Sequence, residues 1–295
     1  MDWFRARTAG VWRGCVGGAL LLAAIFDVPI ASAARIALPR PDHVVVVIEE
    51  NRSFGRIIGN ADAPYINALA ARGALMEDSH GVTHPSQPNY LALFSGGTRG
   101  VHNDFCPQRI EGENLASLLI GRGLSFAIYS ESMPSVGYLG CKYGPYRRKH
   151  NPVADWQGGN LPASINRRFI SFGPDFTRLP TVAFVVPNQD NDMHDGSIAQ
   201  GDAWLARYIE PYLRWAAKHN SLLILTWDES DYGSLFSNHI ATLLVGPMVK
   251  PGRYPQWIDH YAVLRTVSDI YGLPALGETA TAKPITGIWK HETPD

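Results

Sequence analysis

Two continuous apolar runs, each followed at once by acidic residues, constrain this chain most strongly. Residues 43–48 read HVVVVI and are followed by two glutamates, and residues 221–227 read SLLILTW and are followed by Asp228 and Glu229. Runs of this length and composition are typical of strands that are buried on both faces, as in a parallel sheet with helices on each side. The sequence therefore predicts a sheet whose central strands end in carboxylates.

Strands and helices alternate along the rest of the chain. This alternation predicts an α/β three-layer sandwich with a mostly parallel central sheet, in which ligands bind at the carboxyl ends of the strands. The segment at about 131–178 is rich in Gly, Pro, Tyr and Arg, and we expect it to form an irregular insertion or lid. Further strands are predicted at 125–130, 181–186 and 240–245, and helices at 62–72, 114–122, 202–219 and 259–271.

The first 33 residues are typical of a secretory signal peptide. An apolar stretch at 16–30 follows three arginines and is itself followed by Ala-Ser-Ala at 31–33, where signal peptidase needs small residues. The alternative is a retained anchor, but Asp27 and neighbouring Gly and Pro residues argue against a permanent span, so we expect no stable membrane span after cleavage. The prediction is an exported protein, periplasmic or secreted, with one domain at 34–295.

Cleavage would leave two cysteines, Cys106 and Cys141. An even count in an exported chain favours one structural disulfide, and the alternative is two separate buried thiols. Neither residue lies in a CxxC pair, so redox chemistry and a cysteine-rich zinc site are disfavoured.

The composition is that of a packed globular protein without a charge field. Of the 295 residues, 45% are hydrophobic and 18% are charged, and the formal net charge is -1. No bulk potential attracts nucleic acid or an anionic membrane, so a nucleic-acid partner is not expected. The basic run at 147–150 is interpreted as a solvated loop rather than as a phosphate or nucleic-acid site.

Polar residues gather after three of the predicted strands. If these strands are parallel, their carboxyl ends meet at one edge of the sheet, and crowded carboxylates repel each other unless a cation neutralises them. Oxygen ligands suit calcium, magnesium or manganese, and an added histidine permits zinc. For any single residue the alternative is a helix cap or a loop charge. The groups are Glu49, Glu50 and Asn51; Asn188, Asp190, Asp192, His194 and Asp195; and Asp228, Glu229 and Asp231.

A serine precedes a predicted helix at residues 83–90, which read THPSQPNY. At a helix start, Ser86 would sit among partly positive backbone N–H groups, which favour both an attacking alkoxide and a bound phosphate. Asn89 is a candidate donor to a phosphoryl oxygen. The alternative for Ser86 is plain helix capping. His239, like His80 and His102, is interpreted first as a structural histidine.

Several common enzyme motifs are absent from the sequence. There is no GxSxG elbow, which disfavours a serine esterase of the α/β-hydrolase type. There is also no Walker A loop, and no GxGxxG follows a predicted strand.

Four short motifs together resemble the phosphoesterase family that contains acid phosphatases and non-specific phospholipases C. The resemblance extends from residue 43 to about 272 and implies an alkaline-phosphatase-like fold, because this family belongs to that superfamily. The motifs stand in the family's order: EENRSF at 49–54, SQPNY at 86–90, PN with DMHD at 187–188 and 192–195, and TWDE at 226–229.

The resemblance implies a metal site and a nucleophile. Glu50, Asn51, Asp228 and Glu229 would hold a divalent ion, which could be calcium, magnesium, manganese or zinc. Glutamate stands at 229 where related nucleotide phosphodiesterases have histidine, which favours one dominant metal over a two-zinc site. Ser86 would attack phosphorus and form a phosphoserine.

The remaining site residues have less definite roles. The resemblance implies that Asn89 stabilises the equatorial phosphoryl oxygens, and that His194 is an acid or base or a ligand of a second metal. Asp190, Asp192 and His239 are weaker candidates for contact with metal or substrate.

The preferred function is hydrolysis of small phosphomonoesters, with two alternatives. A phosphodiesterase of the phospholipase C type would act on lipid headgroups and would need an apolar rim near the insertion. A non-enzymatic exported protein that binds phosphate or metal is the more distant alternative. A sulfatase is disfavoured, because no Cys/Ser-x-Pro-x-Arg motif is present. For the phospholipase C alternative, the apolar rim could be supplied by Tyr138, Tyr143, Tyr146 and Trp156, although such aromatics more often pack in a core or lid.

Overall fold

The computed structural model describes residues 38–231 and 237–291. The predicted signal peptide at 1–33 lies outside these residues. Within them, no helix has both the length and the apolar character needed to cross a membrane. The strands are β1 (His43–Glu49), β2 (Ala74–His80), β3 (Phe126–Ser130), β4 (Lys142–Tyr143), β5 (Tyr146–Arg147), β6 (Asn166–Arg168), β7 (Val182–Val186), β8 (Ser221–Trp227), β9 (His239–Val245) and β10 (Gly252–Asp259).

Eight of these strands form one sheet in the order β10-β2-β9-β8-β1-β7-β3-β6. Strands β8, β1, β7, β3 and β6 are parallel to one another, and β9 is antiparallel to both of its neighbours. The predicted α/β fold class with a mostly parallel sheet is therefore confirmed. The two longest apolar runs, β1 and β8, lie side by side in the middle of the sheet.

Helices cover both faces of the sheet. They are α1 (Phe54–Ile57), α2 (Pro64–Arg72), α3 (Ser86–Ser95), α4 (Leu115–Gly121), α5 (Val153–Trp156), α6 (Ile198–Tyr208), α7 (Glu210–Ala216) and α8 (His260–Ile270).

The alternating side chains of β1 enter two separate cores. Val44 and Val46 pack in the core formed with α3, α4 and α8. Val45 and Val47 pack in the core formed with α2, α6 and α7. Successive side chains of a strand point to opposite faces, so a continuous valine run is buried on both sides. This explains why β1 shows no polar alternation.

The helix predicted at 202–219 is interrupted. Helix α6 ends at Tyr208, and α7 begins at Glu210 with Pro211 in its first turn. Proline has no backbone N–H and its ring clashes with the carbonyl four residues earlier, so a continuous helix through Pro211 is disfavoured. The prediction of one long helix was wrong for this reason.

The segment 131–178 consists of short elements. It holds the hairpin of β4 and β5, the four-residue helix α5 and several 3-10 turns, and its strand β6 joins the edge of the main sheet. A disulfide joins Cys106 to Cys141, with 5.7 Å between the Cα atoms, and confirms the expected pairing. The disulfide ties the segment to the loop that follows α3. A lid role for the segment stays a prediction.

Candidate active site

Three neighbouring strands deliver the predicted acidic groups to one edge of the sheet. Strands β8, β1 and β7 are adjacent and parallel, so the residues that follow them lie close together. Glu50 and Asp228 are both buried there. The backbone N–H of Asn51 donates to Asp228 Oδ1 at 3.1 Å and so joins the ends of β1 and β8.

Ser86 is the first residue of α3 and faces this acidic cluster. Its side chain is only 1% exposed. The hydroxyl donates to Glu50 Oε2 at 3.0 Å, and Glu229 Oε1 lies 3.3 Å from the same oxygen. The sequence predicted a helix start at this serine, and the structure confirms it. A hydroxyl between two carboxylates can pass its proton to either of them, and a bound cation would offset the negative charge that otherwise opposes its ionisation.

Several oxygens of the cluster accept no hydrogen bond from the residues that the structure describes. Glu50 Oε1, Asn51 Oδ1 and Asp228 Oδ2 are buried and accept no hydrogen bond within the described ranges. A buried acceptor without a partner costs about 1–3 kcal/mol, so a group of three is unusual unless another partner is present. Carboxylate and amide oxygens are ligands of hard divalent cations, and this donor set fits such an ion.

A second group of potential ligands adjoins the first. Ligand atoms of Glu50, His150 and Asp192 all lie within 4.8 Å of one another, and all three residues are buried. Glu50 Oε1 is 3.0 Å from His150 Nε2, and Asp192 Oδ2 is 3.4 Å from His150 Nδ1. None of Glu50 Oε1, His150 Nε2 and Asp192 Oδ2 makes a hydrogen bond to the described residues. This group also fits a divalent cation.

Burial controls the ionisation of the cluster. Burial raises the pKa of Glu50 and of Asp192 well above the usual range, and neighbouring carboxylates raise both further. Burial also raises the pKa of Asp228 to about 6, and burial together with the Asp228 charge raises the pKa of Glu229 to about 9. The pKa of His150 is lowered well below its usual value by burial, so its ring is neutral and able to ligate. A bound cation would reverse the shifts of the carboxyls.

The basic run at 147–150 is not a solvated loop, and this interpretation was wrong. His150 is 2% exposed, and its ring stacks on Tyr90 with 5.1 Å between centroids. Arg148 is buried as well, because its guanidinium pairs with Asp155 Oδ1 at 3.1 Å and donates to backbone carbonyls of Gln108, Leu139 and Ala154.

Lys149 is a site residue that the sequence analysis missed. Its Nζ lies 2.7 Å from Asp104 Oδ2 and 3.5 Å from Ser86 Oγ. Burial lowers the pKa of Lys149, but the charges of Glu50 and Asp104 outweigh burial, so the net shift is upward and the ammonium is retained. The only signal in the sequence was the basic run itself.

The structure gives Asn89 other partners than a phosphoryl oxygen. Its Oδ1 accepts from the N–H groups of Val82 and Thr83 at 2.9 and 3.0 Å, and its Nδ2 donates to the carbonyls of Thr83 and Pro85. Both N–H bonds of the side chain are therefore used by the turn before Ser86. In this arrangement Asn89 holds the backbone of the turn that precedes Ser86.

The remaining predicted residues divide into near and distant ones. His194 lies at the border of the cluster, half-buried, with its ring 6.2 Å from that of His150 and its Nδ1 2.8 Å from Asp195. Asp190 is exposed and lies outside the ligand group. His239 contacts the backbone carbonyl of Glu77 at 2.7 Å and stacks on Phe54, so it is part of the packing around β9.

A comparison with known protein families identifies the family of this chain. Residues 60–274 match the phosphoesterase family. The chain belongs to the phosphoesterase family. The family that the motifs suggested is thereby confirmed, and with it the prediction of a phosphoric ester hydrolase.

Similar proteins agree with this assignment. A phosphatidylinositol-3-phosphatase of Mycobacterium tuberculosis is 48% identical over 281 residues, which cover 94% of this chain and 92% of that protein. A phosphate-repressible acid phosphatase of Penicillium chrysogenum is 34% identical over 72% of this chain, which spans 55% of that protein's length. A solved protein of the alkaline phosphatase superfamily from Vibrio parahaemolyticus has a TM-score of 0.56 at 11% identity, covering 85% of this chain and 72% of that one. This phosphoesterase therefore has the predicted alkaline-phosphatase-like fold.

Proposed function

We propose that this phosphoesterase is a metal-dependent hydrolase of phosphate monoesters that acts through a phosphoserine at Ser86. The supporting observation is the surroundings of the Ser86 hydroxyl. Glu50, Glu229 and the Lys149 ammonium lie 3.0, 3.3 and 3.5 Å from it. A pure binding site has no need of a buried serine held against two potential bases.

Glu50, Asn51, Asp228 and Glu229 would hold the divalent ion, as the resemblance implied. His150 and Asp192 extend the same donor set on the side of β7. Calcium, magnesium, manganese and zinc are all compatible with these ligands. When bound, the ion supplies positive charge that stabilises the ionised serine and the phosphoryl oxygens.

The protein's own groups then perform the transfer. Ser86 loses its proton toward Glu50 or Glu229 and attacks phosphorus in line with the leaving alcohol. The Lys149 ammonium offsets negative charge that develops on the phosphoryl oxygens, since positioning and electrostatics dominate such transfers. His194, oriented by Asp195, lies at the border of the site and is the candidate donor to the leaving alcohol. Water then cleaves the phosphoserine.

A lipid headgroup that carries a phosphomonoester is the substrate class we favour. The support is the 48% identical relative, which is a phosphatidylinositol-3-phosphatase. Phosphodiester cleavage of the phospholipase C type is the competing activity, because the same nucleophile and ligands would serve it. Capture of phosphate or metal without turnover is the non-enzymatic alternative.

Hydrolysis of p-nitrophenyl phosphate and bis-p-nitrophenyl phosphate tests these alternatives. We expect monoester turnover that is lost with a chelator and with Ser86→Ala, while Ser95→Ala is active because Ser95 lies at the far end of the same helix. Rapid acid quenching should trap one phosphoryl group on Ser86, detected by mass spectrometry. Turnover of the diester alone would replace this proposal with a phosphodiesterase, and no turnover with any ion would leave a binding protein.

We also propose that the mature protein works outside the cytoplasm. The disulfide between Cys106 and Cys141 supports this, because such bonds persist in oxidising compartments. Fractionation of cells that express the full chain tests it. Activity retained in the cytoplasmic fraction, with both thiols free, would contradict export.

A further inference from the structure

An apolar cavity lies at the same edge of the sheet as Ser86. It has a volume of about 770 Å³. It is bounded by residues 131–134, which follow β3, by residues 168–170 and 172–174 at and after the end of β6, and by residues 207, 208 and 211 of α6 and α7. Because β1, β7, β3 and β6 are adjacent parallel strands, both sites lie at strand carboxyl ends. Three strand spacings of about 4.8 Å place the cavity roughly 10–15 Å from the catalytic cluster.

The wall and the mouth of the cavity differ in character. The wall includes buried Met133, Phe172 and Phe176. At the mouth, Ile170 is 75% exposed and Tyr143 is 57% exposed. Large apolar side chains that are exposed beside an apolar cavity often mark a binding site, whereas single exposed apolar residues elsewhere on a surface do not.

Two arginines complete the mouth. Arg168 and Arg207 are both exposed and line the cavity. In the part of the chain that the structure describes, neither forms an ion pair with a carboxylate. Arg168 Nε donates to the carbonyl of Met133 at 3.2 Å, and Arg207 lies over the Tyr208 ring. Glu131 also lines the cavity, but its carboxylate accepts hydrogen bonds from Asn188, Asn191 and Trp204. An apolar wall with two guanidinium groups at its entrance is complementary to an anionic amphiphile rather than to a neutral or cationic one.

The chain that lines the cavity leads into the catalytic cluster. The hairpin of β4 and β5 contributes Tyr143 and Pro145 to the cavity, and the chain then continues directly to Lys149 and His150. The carbonyl of Pro145 also accepts from the N–H of Gln189, which lies in the loop that carries Asp192. The two sites are therefore linked through this hairpin and through this hydrogen bond.

We propose that this cavity binds the hydrocarbon tail of an amphiphilic phosphate ester whose phosphoryl group lies at Ser86. The inference rests on the proposed function and adds to it a tail-binding subsite with Ile170 at its mouth. The cavity volume is within the range of small-molecule sites, so it accommodates part of one tail and not a protein domain.

Binding of two phosphonates tests the inference without requiring turnover. Methylphosphonate and decylphosphonate, the latter below its micelle concentration, are titrated calorimetrically into the full protein with metal. We expect decylphosphonate to bind at least about tenfold more tightly, since each buried methylene is worth up to about a fourfold gain in affinity. Ile170→Asp should remove about tenfold of that preference, because a charge would then lie against the tail.

Ile120→Asp is the matched control. Ile120 is a 42% exposed isoleucine near the end of α4, just before β3 begins, and so lies at the opposite edge of the sheet. It should leave both affinities unchanged, and Ile170→Asp should leave p-nitrophenyl phosphate turnover unchanged. Equal affinities for the two phosphonates, or a decyl preference that survives Ile170→Asp, would overturn the inference and leave the cavity to another occupant, such as a protein partner.

The same measurements separate this inference from the proposed function. Turnover of p-nitrophenyl phosphate without a decyl preference sinks the tail site alone. A decyl preference that Ile170→Asp abolishes, in a protein that hydrolyses no phosphate ester, sinks the phosphatase proposal and supports a tail-binding site.

Discussion

The candidate active site has two halves that are held in different ways. One half consists of Glu50, Asn51, Asp228 and Glu229, which follow β1 and β8 and are fixed by the central hydrogen-bonded ladder of the sheet. The other half consists of Lys149, His150 and Asp104, which come from irregular chain outside the sheet. We call these the strand-end half and the segment half.

The segment half needs other restraints because no ladder holds it. The disulfide between Cys106 and Cys141 joins its two pieces of chain, and the buried pair of Arg148 and Asp155 anchors one of them. The two halves therefore differ in how they can be changed. The strand-end half is fixed by the sheet, whereas the segment half places the Lys149 ammonium near Ser86 through contacts that can be altered one at a time.

The largest effect is expected in the strand-end half, from Glu50→Gln. The substitution removes a charge that lies 3.0 Å from the Ser86 hydroxyl and an oxygen of both candidate ligand groups. We expect kcat to fall about 1,000-fold or more, as for loss of a principal electrostatic or nucleophile-activating group. Steady-state kinetics with p-nitrophenyl phosphate measure this, and calorimetry should show weaker metal binding.

Glu49→Gln is the matched control for that experiment. Glu49 is equally buried, but it lies outside the group of Glu50, His150 and Asp192 and makes no hydrogen bond to Ser86 within the described residues. Burial together with the Asp192 charge raises its pKa well above the usual range. Glutamine keeps the size of the side chain, and turnover should change less than about threefold. Equal losses in the two variants would mean that any change at the end of β1 disrupts the site.

The next effect is on stability, from replacing Cys106 and Cys141 together by serine. The bond closes a loop with a sequence separation of 35. Its loss should lower the free energy of unfolding by about 3 kcal/mol. Denaturant unfolding measures the change, and reduction of the wild-type protein should reproduce it. An unchanged unfolding free energy would show that the Arg148–Asp155 pair alone restrains the segment half.

A smaller effect on catalysis is expected in the segment half, from Lys149→Met. The variant keeps the length of the side chain but removes the ammonium 3.5 Å from Ser86 Oγ. We expect kcat/KM to fall about 10- to 100-fold, since one charged group is lost while the nucleophile stays in place. Metal affinity should not weaken. Lys142→Met, at an exposed position, is the control, and a loss equal to that of Glu50→Gln would contradict the division between the halves.

The position of the strand-end half could be predicted from the sequence because it depends only on neighbouring residues in the chain. A buried run such as the valines of β1 identifies a strand, and the residues that follow a parallel strand must lie at the carboxyl edge of the sheet. The groups after β1 and β8 were placed at this edge in this way, and the choice of Glu50, Asn51, Asp228 and Glu229 among them came from the family resemblance. The pairing of β8 with β1 then brings the groups together without further information.

The segment half could not be predicted in this way. Arg148, Lys149 and His150 read as a solvated loop because nothing near them in the sequence shows a helix or strand period. Their burial depends on contacts distant along the chain, such as the bond from Arg148 to the carbonyl of Gln108 and the approach of Lys149 to Asp104. The hydrogen bonds of Asn89 could not be predicted either. Its partners are backbone groups of the turn before Ser86, and the sequence does not show the conformation of that turn.

The smallest effect concerns the pH dependence of stability in the strand-end half. Burial, together with the charge of Asp228, raises the pKa of Glu229 from 4.5 to about 9. The stability linked to this proton is fully present below the unfolded pKa and is lost as pH rises through the folded pKa. Between about pH 7 and 9 the folded protein keeps this proton while the unfolded chain has released it, so stability falls across the window.

We therefore expect the chelated protein to lose about 1 kcal/mol of unfolding free energy per pH unit across this window. Denaturant unfolding at several pH values measures the slope. Glu229→Gln should reduce it, and saturating divalent metal should flatten it, because a bound cation keeps the carboxylates ionised in the folded protein. A slope that is the same with and without metal would show that no cation neutralises the strand-end half. The resemblance between its donor set and a metal site would then be accidental.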